Sequence, residues 1–403
     1  MRVTMLNKYY PPHLGGIEYH MRDLATALAA GGDTVRAIVA NEGPEHVTET
    51  LDGVEVARLG RSFAYSSTPV VPGMARAIAR EAARPDRPDV LHLHFPYPWG
   101  EVSWLQAQGG ATGSARVPAV VTYHSDIVRQ KTMLALYEPL LRRFLDRVDL
   151  VIASSPNMVE HSPYLSRIAD KCRVVPFGIH VEHFAATPER TARAAELRAT
   201  QAPSRGERPI VLFVGRLIYY KGAEVLVRAM ADVDADLVMV GRGPLLPELQ
   251  ALAASLGIDG RTAFLEPVDD ADLAAWYHAA DIFCLPSVAR SEAFGLVQLE
   301  AHAAGTPVVS TTLTTGVPFV NQDGLTGLTV PPEDVPALAV ALHTLVTDEP
   351  LRVRLGRQAA ERAHADFTIP RMVADTRAVY AEAIAAHGGS PSGGAEAGEP
   401  GRP

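Results

Sequence analysis

Two acidic residues, Glu292 and Glu300, flank the expected start of a helix. The apolar run from Ile282 to Leu285 predicts a buried strand, and apolar residues recur at helical spacing from Leu296 onward. Glu292 is therefore expected in the intervening loop and Glu300 within the helix, one turn beyond Leu296. Carboxylates at these positions can accept hydrogen bonds from the hydroxyls of a sugar or a ribose.

The residues between the two glutamates suit a phosphate group. Phe294, Gly295 and Leu296 are expected to present backbone N–H groups at the helix N-terminus, where partial positive charge attracts anions. Gly295 has no side chain to block the approach. With Val297, these residues form the candidate binding turn for a pyrophosphate. Either glutamate taken singly is more commonly a solvated helix residue, so the interpretation depends on the surrounding residues.

Two cations follow the apolar run from Ile210 to Val214, in the stretch G-R-L-I-Y-Y-K-G. Arg216 and Lys221 lie outside any periodic apolar pattern, so both can reach a ligand at the end of this strand. A guanidinium and an ammonium there would stabilise the negative charge of a departing diphosphate. The alternative is that they are ordinary surface cations.

Gly241, in the loop V-G-R-G-P, is a further candidate contact, although a glycine turn is expected there on structural grounds alone.

The first half of the chain has a glycine pair and a polar cluster after two of its predicted strands. Gly15 and Gly16 would let a ligand approach backbone amides, although such pairs are commonly simple turns. The run T-Y-H-S-D supplies Tyr123, His124 and Asp126. His124 is a candidate catalytic residue, Asp126 a candidate orienting or acceptor-binding partner, and Tyr123 a second candidate acceptor contact.

We predict no metal site. His92 and His94 alternate on one face of a predicted strand, but no further ligands follow at metal-binding spacing, so we assign both to the sheet edge and the cleft. No D-x-D motif stands out, and Cys172 and Cys284 fit neither a disulfide framework nor a metal cluster. The dinucleotide pattern G-x-G-x-x-G is also absent, which argues against a nicotinamide dehydrogenase.

Strands and helices alternate along the chain in two successive sets, which predicts an α/β protein with two doubly wound parallel sheets. Ligands bind at the carboxyl ends of such strands, so we expect one cleft shared by the two domains. We predict a first domain over residues 1–188, an Arg- and Pro-containing linker over 189–209, a second domain over 210–367, a helix over 368–387, and a disordered Gly/Pro/Ser-rich tail over 388–403.

Composition limits the class of protein. The chain has 403 residues, of which 47% are hydrophobic, enough for a globular protein with two or three domains. A net charge of −9 argues against a general nucleic-acid binder. The N-terminus lacks the pattern of a secretory signal, and no run of 18 apolar residues exists. We therefore expect a cytoplasmic protein, at most peripheral at the inner face of the cell membrane.

Taken together, the motifs resemble those of the retaining glycosyltransferases of family 4. The resemblance rests on the E-x7-E pair with F-G-L between, the following G-T-P-V-V, the G-G-x-E element after the first strand, and G-R-L-I-Y-Y-K-G. It extends from Met1 to about Ala386 and implies the GT-B fold, two Rossmann-like domains with a last helix that crosses back onto the first. It also implies transfer of a sugar from a nucleoside-diphosphate sugar to an acceptor hydroxyl, with retention of anomeric configuration and without a metal or other cofactor.

The resemblance also assigns roles to residues. It implies that Arg216 and Lys221 bind the donor diphosphate and that the ring of His124 contacts the donor sugar. The candidate catalytic residues are His124, Arg216, Lys221 and Glu292. The candidate donor-binding residues are Gly15, Gly16, Arg216, Lys221, Gly241, Glu292, Phe294, Gly295, Leu296, Val297 and Glu300.

Substrate and mechanism are less determined. No residue stands out as a required nucleophile, so we favour attack on the same face that the diphosphate leaves. Similarity to bacterial enzymes of polysaccharide assembly favours GDP-mannose, with a UDP-sugar next, and a lipid-linked glycan acceptor. A small-molecule or antibiotic acceptor is an alternative. A nucleotide-sugar epimerase, a pyridoxal-phosphate phosphorylase and a non-catalytic nucleotide-sugar-binding protein are the rival functions.

The segment from Arg129 to Arg147 mixes leucines with basic residues and could be a basic amphipathic surface helix. In relatives with lipid-linked acceptors the first domain docks on the membrane through such a helix. Peripheral membrane contact through residues 129–147 is therefore a hypothesis. The alternative is a core-packed helix with solvated arginines.

Overall fold

The computed structural model describes residues 1–13, 15–65, 68–111, 116–127 and 131–388. The chain divides into two compact units. The first unit comprises residues 1–154, 162–175 and the chain from Ile369 onward, and the second comprises 155–161 and 176–368. Of the predicted tail, only Gly388 lies within the described residues.

The first unit is built on an eight-stranded sheet with the order β10-β9-β8-β7-β1-β2-β4-β3. All neighbours pair in parallel except β3 and β4, and β5 and β6 form a separate antiparallel pair. The strands of this unit are β1 (Arg2–Leu6), β2 (Thr34–Ala40), β3 (Val47–Leu51), β4 (Val54–Leu59), β5 (Phe63–Tyr65), β6 (Thr68–Val70), β7 (Val90–Phe95), β8 (Ala119–Tyr123), β9 (Leu150–Ala153) and β10 (Cys172–Val174).

The helices of the first unit cover this sheet. They are α1 (Gly16–Ala30), α2 (Met74–Ala82), α3 (Pro98–Ala107), α4 (Lys131–Arg147) and the last helix, α14 (Ile369–Ala386). The buried side chains of α1 recur at helical spacing, and Leu24 and Leu28 share a core cluster with Met372 and Tyr380 of α14. The last helix of the chain therefore completes the core of the first unit.

The second unit contains a six-stranded, wholly parallel sheet with the order β13-β12-β11-β14-β15-β16. Its strands are β11 (Ile210–Val214), β12 (Asp236–Val240), β13 (Thr262–Leu265), β14 (Ile282–Leu285), β15 (Val308–Thr311) and β16 (Gly327–Val330). Its helices are α5 (Pro156–His161), α6 (Pro188–Thr200), α7 (Ala223–Ala229), α8 (Leu246–Ser255), α9 (Asp270–Ala279), α10 (Leu296–Ala303), α11 (Val317–Val320), α12 (Val335–Thr347) and α13 (Glu349–Asp366).

The sequence of strand β11 is a continuous apolar run because both of its faces are buried. Val211 and Phe213 belong to one core cluster, whereas Leu212 and Val214 belong to another. Successive side chains of a strand point to opposite faces, so both faces of this sheet are covered by apolar helices. Both sheets thus confirm the predicted α/β, doubly wound fold class.

The predicted linker over 189–209 is wrong for its first half, because residues 188–200 form α6. The hydroxyl of Thr187 caps this helix by accepting the Arg190 N–H at 3.1 Å. Leu197 is buried in the core of the second unit, and Arg193 pairs with Asp272 at 2.7 Å. The arginines form the solvated face of a helix, which composition alone does not distinguish from a polar linker. Residues 176–188, predicted as part of the first domain, also belong to the second unit.

Candidate active site

Two glycine turns meet at the carboxyl ends of β11 and β12. Gly215 and Gly241 have φ angles of +148° and +149°, a region that side chains rarely adopt. A Cβ on Gly241 would lie 2.0 Å from the Gly215 carbonyl oxygen. Only glycine fits at Gly241, which explains its place in the V-G-R-G-P loop by backbone packing and leaves its predicted ligand contact as a prediction.

Lys221 and Glu292 form a nearly buried ion pair. Lys221 lies on a short 3-10 turn before α7, and its Nζ is 2.6 Å from Glu292 Oε2. The two side chains are only 12% and 9% exposed. Ser287 Oγ donates to the same carboxylate oxygen at 3.0 Å. Because an ammonium has three N–H groups, Lys221 can hold Glu292 and still donate to an incoming phosphate oxygen.

The turn that carries Lys221 is fixed against the loop after β14. Gly222 has φ +69°, and a Cβ there would lie 1.8 Å from the Pro286 carbonyl oxygen. The Val288 N–H donates to the Tyr220 carbonyl oxygen at 2.8 Å. The two loops therefore position Lys221 and Glu292 together.

Arg216 has a different environment. Its side chain is exposed, and its guanidinium donates to the Tyr220 hydroxyl at 3.4 Å. An exposed guanidinium is free to reorient, whereas the Lys221 ammonium is held by a buried carboxylate. The two predicted diphosphate ligands thus combine one mobile and one fixed cation.

Helix α10 begins as the sequence predicted. Gly295 is its N-cap with φ 75° and ψ 62°, and a Cβ there would lie 2.6 Å from a methyl carbon of Leu285. The Phe294 ring is buried, with Phe177 at 5.1 Å and Phe367 at 6.2 Å between ring centroids. The backbone N–H of Phe294 can therefore bind a ligand, while its side chain packs in the core. Leu296 and Val297 form the first turn of this helix and are partly exposed.

Glu300 lies one turn into α10 and is held by Tyr277 of α9, whose hydroxyl donates to Glu300 Oε2 at 2.6 Å. Burial raises the pKa of Glu300, while the Tyr277 hydroxyl and the charge of Lys221 act to lower it. The Lys221 ammonium therefore acts on both members of the E-x7-E pair. Tyr277 and Ser287 were not predicted as site residues, because an aromatic residue in a helix and a serine after a strand carry no distinguishing signal in the sequence.

In the first unit, His124 lies in a buried cluster of histidines. His20 comes from α1, His94 from β7, and His124 follows β8. His94 Nδ1 and His124 Nε2 are 3.0 Å apart. Burial lowers the pKa of all three, that of His20 to about 3. These imidazoles are therefore neutral at physiological pH.

The assignment of His92 and His94 to the sheet edge is wrong, because β7 lies between β1 and β8 and both side chains are buried. His92 contacts the Tyr380 hydroxyl through Nδ1 at 2.6 Å and the Thr122 hydroxyl through Nε2 at 2.7 Å.

Two groups among the described residues have ring nitrogens or carboxylate oxygens within 4.8 Å of one another and could hold a metal ion. They are His20 with His94 and His124, and His180 with Glu182 and His183.

Asp126 is oriented by two hydroxyl groups. Tyr123 and Ser162 donate to its Oδ1 at 2.8 Å and 2.7 Å. Tyr123 was predicted as an acceptor contact, but its side chain is fully buried and stacked on Phe95 with ring centroids 4.3 Å apart. Tyr123 therefore positions Asp126 from inside the unit, since all five residues of β8 are buried. Asp126 itself is partly exposed.

The two glycines before α1 differ. Gly15 is the N-cap, and a Cβ there would lie 2.1 Å from Glu18 Oε2, since the buried Glu18 folds back over the start of the helix. Gly16 is exposed, and a Cβ there would meet nothing within 4 Å. A side chain at Gly15 would displace the Glu18 carboxylate, whereas one at Gly16 would meet open space. Glu18 is the acid of the G-G-x-E element, and it was not predicted as a site residue.

Helix α4 only partly matches the proposed membrane helix. Leu136 and Leu140 are exposed, Leu136 by 81%, whereas Leu141, Phe144 and Leu145 are buried in the unit. Arg129 and the side chains of residues 131–135 lie outside the described part of the chain. Among the described helices, none combines the length and apolar character needed to cross a bilayer.

Comparison with known proteins agrees with this architecture. The family model "Glycosyl transferases group 1" matches residues 196–362, and "Glycosyltransferase Family 4" matches residues 14–183. The chain is 33% identical to O-antigen chain mannosyltransferase C of Escherichia coli, over 93% of this chain and 96% of that protein. It is 35% identical to D-inositol 3-phosphate glycosyltransferase of Kribbella flavida, over 90% of this chain and 91% of that protein.

A solved structure of sucrose-phosphate synthase from Thermosynechococcus elongatus has the same fold, with a TM-score of 0.79 and 25% identity over 96% of this chain and 99% of that one. The two family models match successive halves of the chain, and the relatives match nearly all of it. The protein therefore belongs to glycosyltransferase family 4 and has the GT-B fold.

Proposed function

We propose that this glycosyltransferase moves a hexose from a nucleoside-diphosphate sugar to an acceptor hydroxyl with retention of anomeric configuration. The observation that carries the proposal is the buried Lys221–Glu292 pair. Its ammonium lies 2.6 Å from one glutamate of the E-x7-E motif and acts electrostatically on the other, Glu300. A fixed cation between two hydroxyl-binding carboxylates matches the chemistry of a sugar diphosphate.

Each group has a specific part in the proposed reaction. Arg216 and Lys221 bind the diphosphate and stabilise the charge that develops on it as the C1–O bond breaks. The backbone N–H groups at the start of α10, from Phe294 to Val297, bind the same phosphates. Glu300 accepts hydrogen bonds from the ribose hydroxyls and Glu292 from the sugar hydroxyls.

Retention follows from attack on the face that the diphosphate leaves. The acceptor oxygen forms the new bond to C1, its proton passes to the departing phosphate oxygen, and no covalent glycosyl-enzyme forms. Trapping such an intermediate would contradict this step. We propose that no metal or organic cofactor is needed, because Arg216, Lys221 and the α10 N-terminus supply positive charge at the phosphates.

In the first unit, we assign the donor-sugar contact to His124 and an acceptor contact to Asp126. Gly15 and Gly16 give a ligand access to the backbone at the start of α1. The buried position of His124 and the two hydroxyl groups that orient Asp126 support fixed geometry for both side chains.

For the donor we favour GDP-mannose, with a UDP-sugar next, and for the acceptor a lipid-linked glycan intermediate. The 33% identity to an O-antigen mannosyltransferase over most of the chain supports this choice. A small-molecule acceptor is the second candidate, because a protein named for D-inositol 3-phosphate is 35% identical over 90% of this chain. A lipid-linked acceptor would bring the protein to the inner face of the membrane, where the exposed Leu136 and Leu140 of α4 can contribute to binding.

The test is nucleotide binding followed by transfer. Calorimetry with UDP, GDP, ADP and their sugar conjugates should show one preferred nucleotide, with binding weakened at least about 10-fold in Lys221→Met and Glu300→Gln. Arg228→Ala, which removes a cation from an exposed pair with Glu224, is the matched control and should bind normally. Measurements with EDTA test the absence of a metal requirement.

With the preferred donor, candidate lipid-linked and small-molecule acceptors are then compared, and the anomeric configuration of the product is determined by NMR. Binding without transfer to any acceptor would favour a non-catalytic binder. Conversion of the donor alone would favour an epimerase. An inverted product would contradict the retaining mechanism.

A further inference from the structure

The histidine cluster of the first unit contains a proton whose position can be assigned. His94 Nδ1 and His124 Nε2 are 3.0 Å apart, a hydrogen-bond distance. Because both rings are buried and neutral, each carries a single proton on one of its two nitrogens. One of the two facing nitrogens must therefore be an N–H donor and the other an acceptor.

The far side of His94 decides between the two arrangements. Its Nε2 is buried and has no hydrogen-bond partner among the described residues. If His94 accepted the bond at Nδ1, its proton would lie on Nε2, and a buried N–H donor would be left unpaired. Unpaired buried N–H groups are rarer in folded proteins than under-used acceptors. The proton of His94 is therefore expected on Nδ1.

His92, the nearest histidine on the same strand, does not disturb this assignment. Its ring centroid lies 4.6 Å from that of His94, but its two nitrogens contact the hydroxyls of Tyr380 and Thr122. Both nitrogens of His92 thus have partners of their own. The His94–His124 contact is separate from the His92 contacts.

We propose that His94 is a positioning residue that fixes the tautomer of His124. The Nδ1–H of His94 donates to His124 Nε2, so the single proton of His124 lies on its Nδ1. The Nδ1 of His124 is then an N–H donor, suited to an oxygen acceptor and unsuited to accepting a proton. The consequence for catalysis rests on the proposed function, in which His124 contacts the donor sugar.

The first experiment measures the tautomer directly. Long-range ¹H–¹⁵N NMR of the full chain with ¹⁵N-labelled histidine, pretreated with EDTA, distinguishes protonated from bare ring nitrogens. His124→Gln and His94→Asn identify the signals. The expected result is protonation at Nδ1 in both His94 and His124. Protonation of His124 at Nε2 would overturn the proposal; the tautomers are measured in the unaltered protein, and the two variants serve only to assign its signals.

Two substitutions of His94 separate positioning from packing. His94→Asn places an amide N–H near the position of Nδ1–H and should keep His124 in the Nδ1–H form. His94→Leu removes the donor and should release His124 to a mixture of tautomers, with kcat/KM lower by about 10-fold, as for the loss of one hydrogen bond. Equal loss in both variants with an unchanged His124 tautomer would contradict the positioning role. His13→Leu, at an exposed histidine paired with Glu42, is the control.

Added Zn²⁺ tests the competing use of this cluster. If the proposal holds, one equivalent of Zn²⁺ leaves the ¹⁵N signals of His20, His94 and His124 unchanged. A stoichiometric shift of all three would show a metal site and overturn the hydrogen-bonded arrangement. Failure of the proposed glycosyl transfer is a separate outcome, because the tautomer measurement requires neither donor nor acceptor.

Discussion

The two units place their candidate functional residues in opposite electrostatic settings. In the second unit the nearly buried Lys221 lies 2.6 Å from the carboxylate of Glu292, a group of opposite charge. In the first unit, burial and neighbouring imidazoles lower the pKa of His94 and His124, so the cluster is neutral. A buried ionisable group retains its charge where an opposite charge accompanies it and loses the charge where the neighbours are of its own kind. The second unit is thus suited to phosphate charge and the first to directional hydrogen bonds.

The largest expected effect comes from removing one charge of the buried pair. Lys221→Met leaves Glu292 with Ser287 as its remaining described partner, and we expect the second unit to lose about 3 kcal/mol of unfolding free energy in urea titration. Lys221→Met combined with Glu292→Leu should recover most of this stability without recovering nucleotide binding. A single variant as stable as the parent protein would show that the pair is not electrostatically important.

The two units also differ in the room that they leave for a side chain at two of their candidate glycines, Gly241 and Gly16. Gly241→Ala would place a Cβ 2.0 Å from the Gly215 carbonyl oxygen at a φ of +149°, and we expect a loss of about 2–3 kcal/mol. Gly16→Ala, at an exposed helical position with open space, should instead be neutral or stabilising by up to about 1 kcal/mol. Urea denaturation of both variants tests this. Similar losses in both would indicate that local backbone geometry is not the cause.

The neutral histidines predict an acid sensitivity. Burial lowers the pKa of His20 and His92 to about 3, whereas an unfolded histidine titrates near 6.5. Below about pH 6.5 the unfolded chain binds more protons than the folded one. The free energy of unfolding therefore decreases as the pH is lowered from about 6.5 to about 3. Each histidine contributes a limiting slope of about 1.4 kcal/mol per pH unit.

Urea titrations between pH 5 and pH 7 can measure this slope. His92→Gln should reduce it by up to about 1.4 kcal/mol per pH unit at the acid end of this range, while His343→Gln, at an exposed position of α12, should leave it nearly unchanged. The second unit has a buried histidine too, His302, with its pKa lowered to about 3. We therefore expect the first unit, with four such residues among those described, to lose stability more steeply than the second. Equal slopes would contradict the comparison.

The smallest effect concerns Glu300. Tyr277→Phe removes a 2.6 Å hydrogen bond to its carboxylate, which favours the charged form, so the pKa of Glu300 should rise further. We expect a stability loss of about 1 kcal/mol and a shift of the acid limb of kcat/KM to higher pH. The pKa can be followed by ¹³C NMR of the carboxyl group. Tyr19→Phe, at an exposed tyrosine of the first unit, is the control, and a fall in the Glu300 pKa would contradict the assignment.

Much of the fold could be predicted from the sequence, because parallel strands buried on both faces are continuous apolar runs. The predicted bounds of β11 and β14 agree with the structure. The strands β3 and β4 were not predicted, since V-T-E-T-L and V-E-V-A-R-L both contain charged residues; β3 is the edge strand of the sheet and β4 lies next to it. A strand buried on both faces is easier to recognise from its apolar run than a strand with one face in solvent.

The candidate site was predictable where its residues lie at strand ends, and less so elsewhere. Lys221 and Glu292 lie next to each other because they follow β11 and β14, which are neighbouring parallel strands of the sheet. Ser287, Tyr277 and His94 act through other side chains. Their roles depend on distances across the fold, which a single sequence does not contain.

The return of α14 to the first unit has a consequence for synthesis of the protein on the ribosome. Residues 176–368 emerge between Val175 and the helix that starts at Ile369, so the second unit can complete its folding while the first still lacks α14. Until then Leu24 and Leu28 of α1 have no contact with Met372 and Tyr380 and are exposed to chaperones and to other nascent chains. A stop codon shortly before Ile369 would therefore harm the N-terminal half of the protein more than the C-terminal half.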